Sequence, residues 1–115
     1  MEGRIDRSFL AELTEGDEQF MLELLADFVE QAAVLRADAL AAVEQKDAEA
    51  LHRATHALKG SSASVGAHAL SEAAKAVDDC ARVGNLVGAI QRIPALWEEL
   101  DAVCREVEEW SRRAA

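Results

Sequence analysis

Apolar residues recur along most of the chain every three or four positions, the period of a helix with one buried face. Between Asp17 and about Gln45 the acidic side chains fall largely outside this apolar stripe, as expected of an amphipathic helix. The stripe in this segment is predicted to consist of Phe20, Leu24, Phe28, Leu35 and Val43. The pattern predicts one long helix with a buried face and a solvated face.

Turn-forming residues divide the sequence into one short and four longer helical segments. The short segment covers residues 6–13, and after it Thr14 and Asp17 are both candidate N-caps for the long helix. Asp47 is predicted to cap a third helix that ends at about Ser64. A fourth helix is predicted from Ala67 to the Gly-Asn pair at 84–85, and a fifth from residue 86 to about 113.

Pro94 lies inside the last predicted helix, where it lacks an N–H and its ring clashes with the preceding turn. The sequence leaves open whether it kinks this helix or marks the start of the helix near Ile93. The apolar stripe beyond it consists of Leu96, Leu100, Val103, Val107 and Trp110. Together these segments predict an all-α fold, an antiparallel four-helix bundle with a short N-terminal lid helix.

Composition agrees with one helical domain over residues 1–115. Half of the residues are apolar, and only one is proline. The net charge of −10 argues against binding to nucleic acid or to an anionic membrane surface, because both need clustered basic residues. The acidic excess is interpreted as a solvated exterior, and we expect a monomer.

The two cysteines, Cys80 and Cys104, have neither the spacing of a metal site nor the density of a disulfide scaffold. We expect both thiols to be buried and unbridged. No apolar run reaches the roughly 18 residues that span a bilayer, and the N-terminus shows no signal-peptide pattern. The sequence therefore predicts a cytoplasmic protein with no membrane segment.

The segment 51–67 contains the residues with candidate chemistry. A helix turns by about 100° per residue, which places Leu51, Thr55, Leu58 and Ser62 on the side that faces the core. On a helical wheel drawn with this angle, His56 lies about 140° from Leu51, so it should point to solvent from the middle of a helix. The residues that share its row are Glu49, His52, Gly60 and Ala63.

Gly60 follows His56 by one turn and costs a helix interior about 1 kcal/mol relative to alanine. Close packing of two helices would be one reason for a glycine, but position 60 falls on the predicted solvent face. With Ala63, it instead leaves a shallow lane beside the imidazole for another protein. Lys59 lies about 60° from His56 around the helix, within reach of a group bound to the imidazole.

The spaced motif His56-x-Leu58-Lys59-Gly60-x-Ser62-x-x-x-Gly66-Ala67 resembles the signature of histidine phosphotransfer (HPt) domains. The family's helix order fits nearly the whole chain, from about Phe9 to Trp110. The resemblance implies a four-helix bundle with a lid helix. It also implies a carrier that shuttles phosphoryl groups between receiver-domain aspartates in a multistep phosphorelay of two-component signalling.

Carried over to this sequence, the resemblance makes His56 the phosphorylated nucleophile and Lys59 its electrostatic support. Gly60, together with Ala63 and His52, is implied to admit the receiver. Ser62 and Gly66 are assigned structural roles. The wheel turns Ser62 toward the core, where its hydroxyl would bond to a preceding carbonyl, and Gly66-Ala67 would form the turn after the third helix.

Neutral imidazole has one unprotonated nitrogen that can attack phosphorus. No intrinsic cofactor is expected, because the divalent cation, Mg²⁺, is expected to come from the partner receiver. The chain has no glycine-rich nucleotide loop, so it should carry phosphate without phosphorylating itself. Receiver domains of response regulators are the implied partners, and a hybrid histidine kinase is a further one.

Two alternatives remain open from the sequence. His52 and His56 have the i, i+4 spacing of two metal ligands, but no third ligand is placed beside them, and His68 follows the break at Gly66. No metal is therefore expected. The second alternative is a non-catalytic helical adaptor. Within the resembled family, the chemotaxis-kinase type is less suitable, since it normally precedes kinase modules that this sequence lacks.

Overall fold

The computed structural model describes residues 3–115, which form five α-helices. Helix α1 spans Arg7–Thr14, α2 spans Glu18–Glu44 and α3 spans Ala48–Ser64. Helix α4 spans His68–Arg82 and α5 spans Leu86–Ala114. No strand occurs among the described residues, and the all-α prediction is confirmed.

Aspartates begin the first three helices. The side chains of Asp6, Asp17 and Asp47 each accept a hydrogen bond from the backbone N–H three residues later, which satisfies a donor that the helix itself leaves unpaired. The capping roles predicted for Asp17 and Asp47 are confirmed. The alternative for Thr14 is wrong, because Thr14 ends α1 and its buried hydroxyl donates to the Leu10 carbonyl at 2.7 Å.

Helices α2 to α5 form the bundle, with short turns between them, so each runs antiparallel to the one before it. Each packs on the next, and α2 packs on α5 to close the bundle. The short helix α1 packs on α2, as the lid prediction required. The largest apolar side chains with almost no exposure are Leu10, Leu25, Leu51, Leu58, Leu70, Val77, Leu96 and Val103. No helix in the described chain has the length and hydropathy to cross a membrane.

The predicted apolar stripe of α2 is only partly right. Phe28 is buried, but Phe20 is 44% exposed, and the other predicted residues, Leu24, Leu35 and Val43, are only partly buried. The buried face instead consists of Met21, Leu25, Phe28, Ala32, Ala39 and Ala42. Three of these six residues are alanines, whose small side chains let the neighbouring helices approach α2. The stripe predicted from the sequence contained only large apolar residues and therefore left out these alanines.

Helix α5 continues through Pro94, so the alternative that the helix starts near Ile93 is wrong. Pro94 and Ile90 are both exposed. The carbonyl of Ile90, which loses its usual N–H partner at a proline four residues later, therefore lies on the side where water can replace that partner. The five residues of the stripe predicted beyond Pro94 are all buried.

Cys80 and Cys104 are free thiols and half-buried against the core, so their predicted burial is only partial. Burial raises the pKa of the Cys104 thiol, and the nearby Asp101 carboxylate raises it further.

The lid is attached to the turn between α3 and α4. The Asp6 backbone N–H donates to the Gly66 carbonyl at 2.9 Å, and Gly66 adopts φ +76°, a conformation that favours glycine. A Cβ at position 66 would lie 3.1 Å from the Asp6 carbonyl oxygen. Beside this contact, His68 Nε2 lies 3.3 Å from the Asp6 carboxylate, and the Phe9 ring packs edge-on against His68. The turn predicted at Gly66 thus also holds the lid.

The pKa of Asp6 lies below its ordinary value of 3.8, first because the Phe9 N–H donates to the carboxylate and then because His68 contacts it. A carboxyl whose pKa is lowered in the folded state adds stability above its unfolded pKa, and that stability is lost as the pH falls through the folded pKa. We predict that Asp6→Asn, which keeps an N-cap acceptor but cannot ionise, is less stable than the parent near neutral pH.

Urea unfolding midpoints of the two proteins, measured at decreasing pH, check this prediction. The gap between them should close once the pH is below the folded pKa of Asp6, where both side chains are uncharged. A gap that stays constant over the whole pH range would show that the Asp6 charge adds nothing.

Candidate functional site

The imidazole of His56 lies on the solvent side of α3, near the middle of this 17-residue helix. Its side chain is 62% exposed, whereas Thr55 beside it is buried and donates its hydroxyl to the Leu51 carbonyl at 2.9 Å. Leu51 and Leu58 are fully buried on the same side. The orientation predicted for α3 is confirmed, and a rigid core-packed helix presents His56 to solvent.

Beneath His56 lies Asp78 of α4, whose side chain is only 3% exposed. One carboxylate oxygen, Oδ1, is hydrogen-bonded to Nδ1 of His52. The other, Oδ2, lies 3.3 Å from Nδ1 of His56 and 3.9 Å from Nζ of Lys59. These four residues, His52, His56, Lys59 and Asp78, are called the Asp78 cluster below.

The contacts of Asp78 determine which nitrogen of His56 is free. An ionised carboxylate only accepts hydrogen bonds, so Nδ1 of His56 must carry a proton to donate to Oδ2. In a neutral ring the other nitrogen, Nε2, then has an unshared electron pair. Because Nδ1 faces the buried carboxylate and the ring is mostly exposed, Nε2 is directed away from the bundle. The cluster therefore presents a nucleophilic nitrogen to solvent.

Lys59 links the cluster to the fold in two ways. Its ammonium faces the Asp78 carboxylate on the same oxygen that His56 uses, which brings the positive charge beside the imidazole. Its backbone carbonyl accepts a hydrogen bond of 2.9 Å from the Ser71 hydroxyl of α4. This bond joins α3 to α4 close to the His56 imidazole. The side chain of Lys59 is about one-third exposed, so its ammonium remains accessible from solvent.

The two small residues beyond His56 leave open space. Gly60 and Ala63 are both exposed, and a Cβ built at Gly60 would meet no atom within 4 Å. Close packing of helices therefore does not explain the glycine. Ser62 is buried and donates to the Leu58 carbonyl at 2.6 Å, which agrees with the structural role expected for it. Positions 60 and 63 on the surface beside His56 therefore carry no bulky side chain, which agrees with the shallow lane expected from the sequence.

The remaining histidines differ from His56. His52 is less exposed, at 29%, and its ring centroid lies 5.6 Å from that of His56. It faces Asp78 at the edge of the lane. His68 begins α4 and contacts Asp6 at the lid, away from the cluster. Among residues 3–115, no group of three or more His, Cys, Asp or Glu side chains is arranged to hold a metal ion.

Asp78 is the site residue that sequence reasoning missed. It lies between core positions of α4, in register with Leu70, Ala74, Val77 and Ala81, all of which are buried. A carboxylate at a core position of an amphipathic helix is unusual, because burying a charge is costly unless it is paired. That mismatch was visible in the sequence, but the sequence alone could not show that the pairing partners lie on α3.

A family model and a solved structure that resemble this chain both belong to histidine phosphotransfer proteins. The sequence model of the family described as Hpt domain matches residues 23–110. The chain is similar to the crystal structure of histidine-containing phosphotransfer protein B (HptB) from Pseudomonas aeruginosa PAO1, with 29% sequence identity and a TM-score of 0.89. That similarity covers 98% of both chains. No curated protein sequence matches the chain significantly.

The geometry predicts that Asp78 fixes the tautomer of His56. In water a neutral histidine side chain prefers its proton on Nε2, whereas the contact with Asp78 requires it on Nδ1. We expect Asp78→Ala to shift neutral His56 toward the Nε2–H form, as read from the ¹⁵N shifts of its ring. The parent should show the Nδ1–H form. An unchanged tautomer in the variant would mean that Asp78 does not orient the ring.

Proposed function

Because the chain belongs to the Hpt domain family, the histidine phosphotransfer proteins of phosphorelay signalling, we propose that His56 carries the phosphoryl group. The observation that carries this proposal is the pairing of an exposed imidazole with a buried carboxylate. Nδ1 of His56 faces Asp78 at 3.3 Å, and the opposite nitrogen is left free. Among residues 3–115, His52 also contacts Asp78 but is only 29% exposed, and His68 contacts Asp6 instead.

In the proposed reaction, the Nε2 electron pair of His56 attacks the phosphorus of a receiver's aspartyl phosphate. The bond between phosphorus and Nε2 forms while the bond to the aspartate oxygen breaks, and the receiver's carboxylate leaves with that electron pair. The ring gains positive charge and keeps its proton on Nδ1. The Asp78 carboxylate stabilises this charged ring, as a buried aspartate does beneath a catalytic histidine.

The reverse reaction uses the same contacts. When a receiver aspartate attacks phosphorus, the ring leaves as a neutral imidazole whose proton is again on Nδ1. No proton has to be exchanged with solvent in either direction. The Lys59 ammonium beside the ring offers a positive charge to the phosphoryl oxygens, which carry negative charge throughout the transfer. We propose that Lys59 supports transfer and that His56 performs it.

Hpt domains in phosphorelays interact with receiver domains and histidine kinases. We infer that a receiver docks on α3 over the lane at Gly60 and Ala63, with His52 at its edge. The charge distribution supports this choice of face. Helix α3 contains one acidic and two basic residues, whereas α2 contains six acidic residues and one basic residue. A receiver's acidic active site meets least repulsion at α3.

The proposed carrier needs no cofactor of its own. We propose that the receiver supplies the divalent cation, Mg²⁺, since the cluster offers only one carboxylate and that group is paired with three side chains. The acidic exterior supports a monomer in solution. A hybrid histidine kinase is proposed as one source of the receiver.

We predict that a phosphorylated receiver with Mg²⁺ gives the chain one acid-labile, base-stable phosphate, which is the behaviour of phosphohistidine. His56→Gln should abolish this label without loss of helicity, because the ring is mostly exposed and the buried Asp78 beneath it keeps His52 and Lys59 as partners. His68→Gln, at the distant histidine, is the matched control and should keep the label. If His56→Gln still accepts phosphate, the assignment of the carrier residue is wrong.

Gly60 provides an independent test of docking. We expect Gly60→Ala to stabilise the fold by about 1 kcal/mol, since alanine is the better helix former and the site has room for its Cβ. Gly60→Gln should also fold, but its longer side chain extends into the lane and should slow transfer from the receiver. Unfolding midpoints and transfer time courses of both variants check these expectations. Transfer at the parent rate in the Gln variant would contradict docking over Gly60.

A further inference from the structure

We propose that His52 is a positioning residue, one that holds the Asp78 carboxylate in the orientation that His56 uses. This inference rests on the proposed function of His56 and concerns how that site is built. His52 lies one helical turn before His56, and both rings direct Nδ1 at the same buried carboxylate. They use different oxygens, which makes their roles distinguishable.

The two oxygens of the Asp78 carboxylate have different partners. His52 takes Oδ1, so the plane of the carboxylate cannot rotate about the Cβ–Cγ bond without breaking that hydrogen bond. Fixing the plane fixes the direction of Oδ2. That second oxygen is then left to His56 at 3.3 Å and to Lys59 at 3.9 Å. Of the three partners, only His52 engages Oδ1.

Exposure separates the two histidines further. His52 is 29% exposed, whereas His56 is 62% exposed and Asp78 is 3% exposed. The less exposed ring lies between α3 and α4, where its Nδ1 contacts the Asp78 carboxylate. His56 must stay accessible, so it cannot itself be packed tightly enough to hold the carboxylate. His52 supplies that restraint from the same helix face.

During transfer, the restraint matters when the His56 ring becomes charged. A freely rotating carboxylate would have to turn toward Nδ1 at that moment, whereas one held by His52 already faces it. No bond to His52 forms or breaks in the reaction. His52 therefore affects the tautomer and the nucleophilicity of His56 without contacting the phosphoryl group.

Two substitutions separate positioning from packing. His52→Asn keeps a side-chain N–H near the position of Nδ1 but lacks the outer two ring atoms, Cε1 and Nε2. His52→Phe keeps the ring volume but has no donor. If His52 only fills space, Phe should behave like the parent and Asn should not. If His52 positions Asp78, the Asn variant should behave like the parent and the Phe variant should not.

The readouts are the ¹⁵N ring shifts of neutral His56 and the rate at which small-molecule phosphoramidate phosphorylates it. Phosphoramidate transfers its phosphoryl group to the ring with loss of ammonia, so receiver docking does not enter. We expect His52→Phe to shift His56 toward the Nε2–H tautomer and to slow labelling about tenfold. A loss of this size is typical when a metal-binding histidine loses the hydrogen-bond acceptor of its second ring nitrogen. His52→Asn should keep the tautomer and a rate close to the parent's.

The proposal is overturned if Phe retains both the tautomer and the rate, or if Asn loses both. Should the Phe variant fail to fold, as judged by far-ultraviolet circular dichroism, His52→Ala replaces it with the same expected outcome. Failure of the proposed function would look different. In that case the parent would accept no phosphate from any receiver, while the tautomer of His56 would still report whether His52 holds Asp78.

Discussion

The burial of one carboxylate between α3 and α4 is the constraint on which the site depends. Asp78 has almost no contact with water, so its charge must be satisfied by side chains of α3. A buried ion pair seldom stabilises a fold more than well-packed apolar residues of similar volume would. Core packing therefore gives no reason for an acid at this position. The contacts of Asp78 with the imidazoles of His52 and His56 and with the Lys59 ammonium give that reason.

This constraint also determines how α3 and α4 must pack. The cluster requires residues 52, 56 and 59 on one side of α3 to lie above residue 78, which fixes both the rotation and the register of the pair. The Ser71–Lys59 hydrogen bond and the apolar residues Leu58, Leu70 and Val77 hold that register from the core side. The lid contact between Asp6 and Gly66 fixes the turn at the far end of the same two helices. The scaffold thus orients the His56 imidazole without enclosing it.

The parts of this structure that depend on local sequence were predictable. Aspartate caps, the breaks at Gly66 and Gly84, and the rotation of α3 follow from propensity and periodicity, and they place His56 in solvent. The stripe of α2 was predicted less well, because alanines at 32, 39 and 42 bury a face that the wheel could not distinguish from an exposed one. Asp78 was missed because its role depends on a partner helix. A pattern within α4 shows an acid out of place but not what pairs with it.

We propose that Asp78 engages Nδ1 of His56 and so leaves Nε2 as the phosphoryl-accepting atom. The most direct measurement is the ³¹P and ¹⁵N spectrum of the ring-¹⁵N-labelled protein after phosphorylation by a receiver. We expect a single phosphohistidine at His56, with phosphorus bonded to Nε2 and a proton retained on Nδ1. Phosphorus bonded to Nδ1 of His56, or to either nitrogen of His52 or His68, would contradict it.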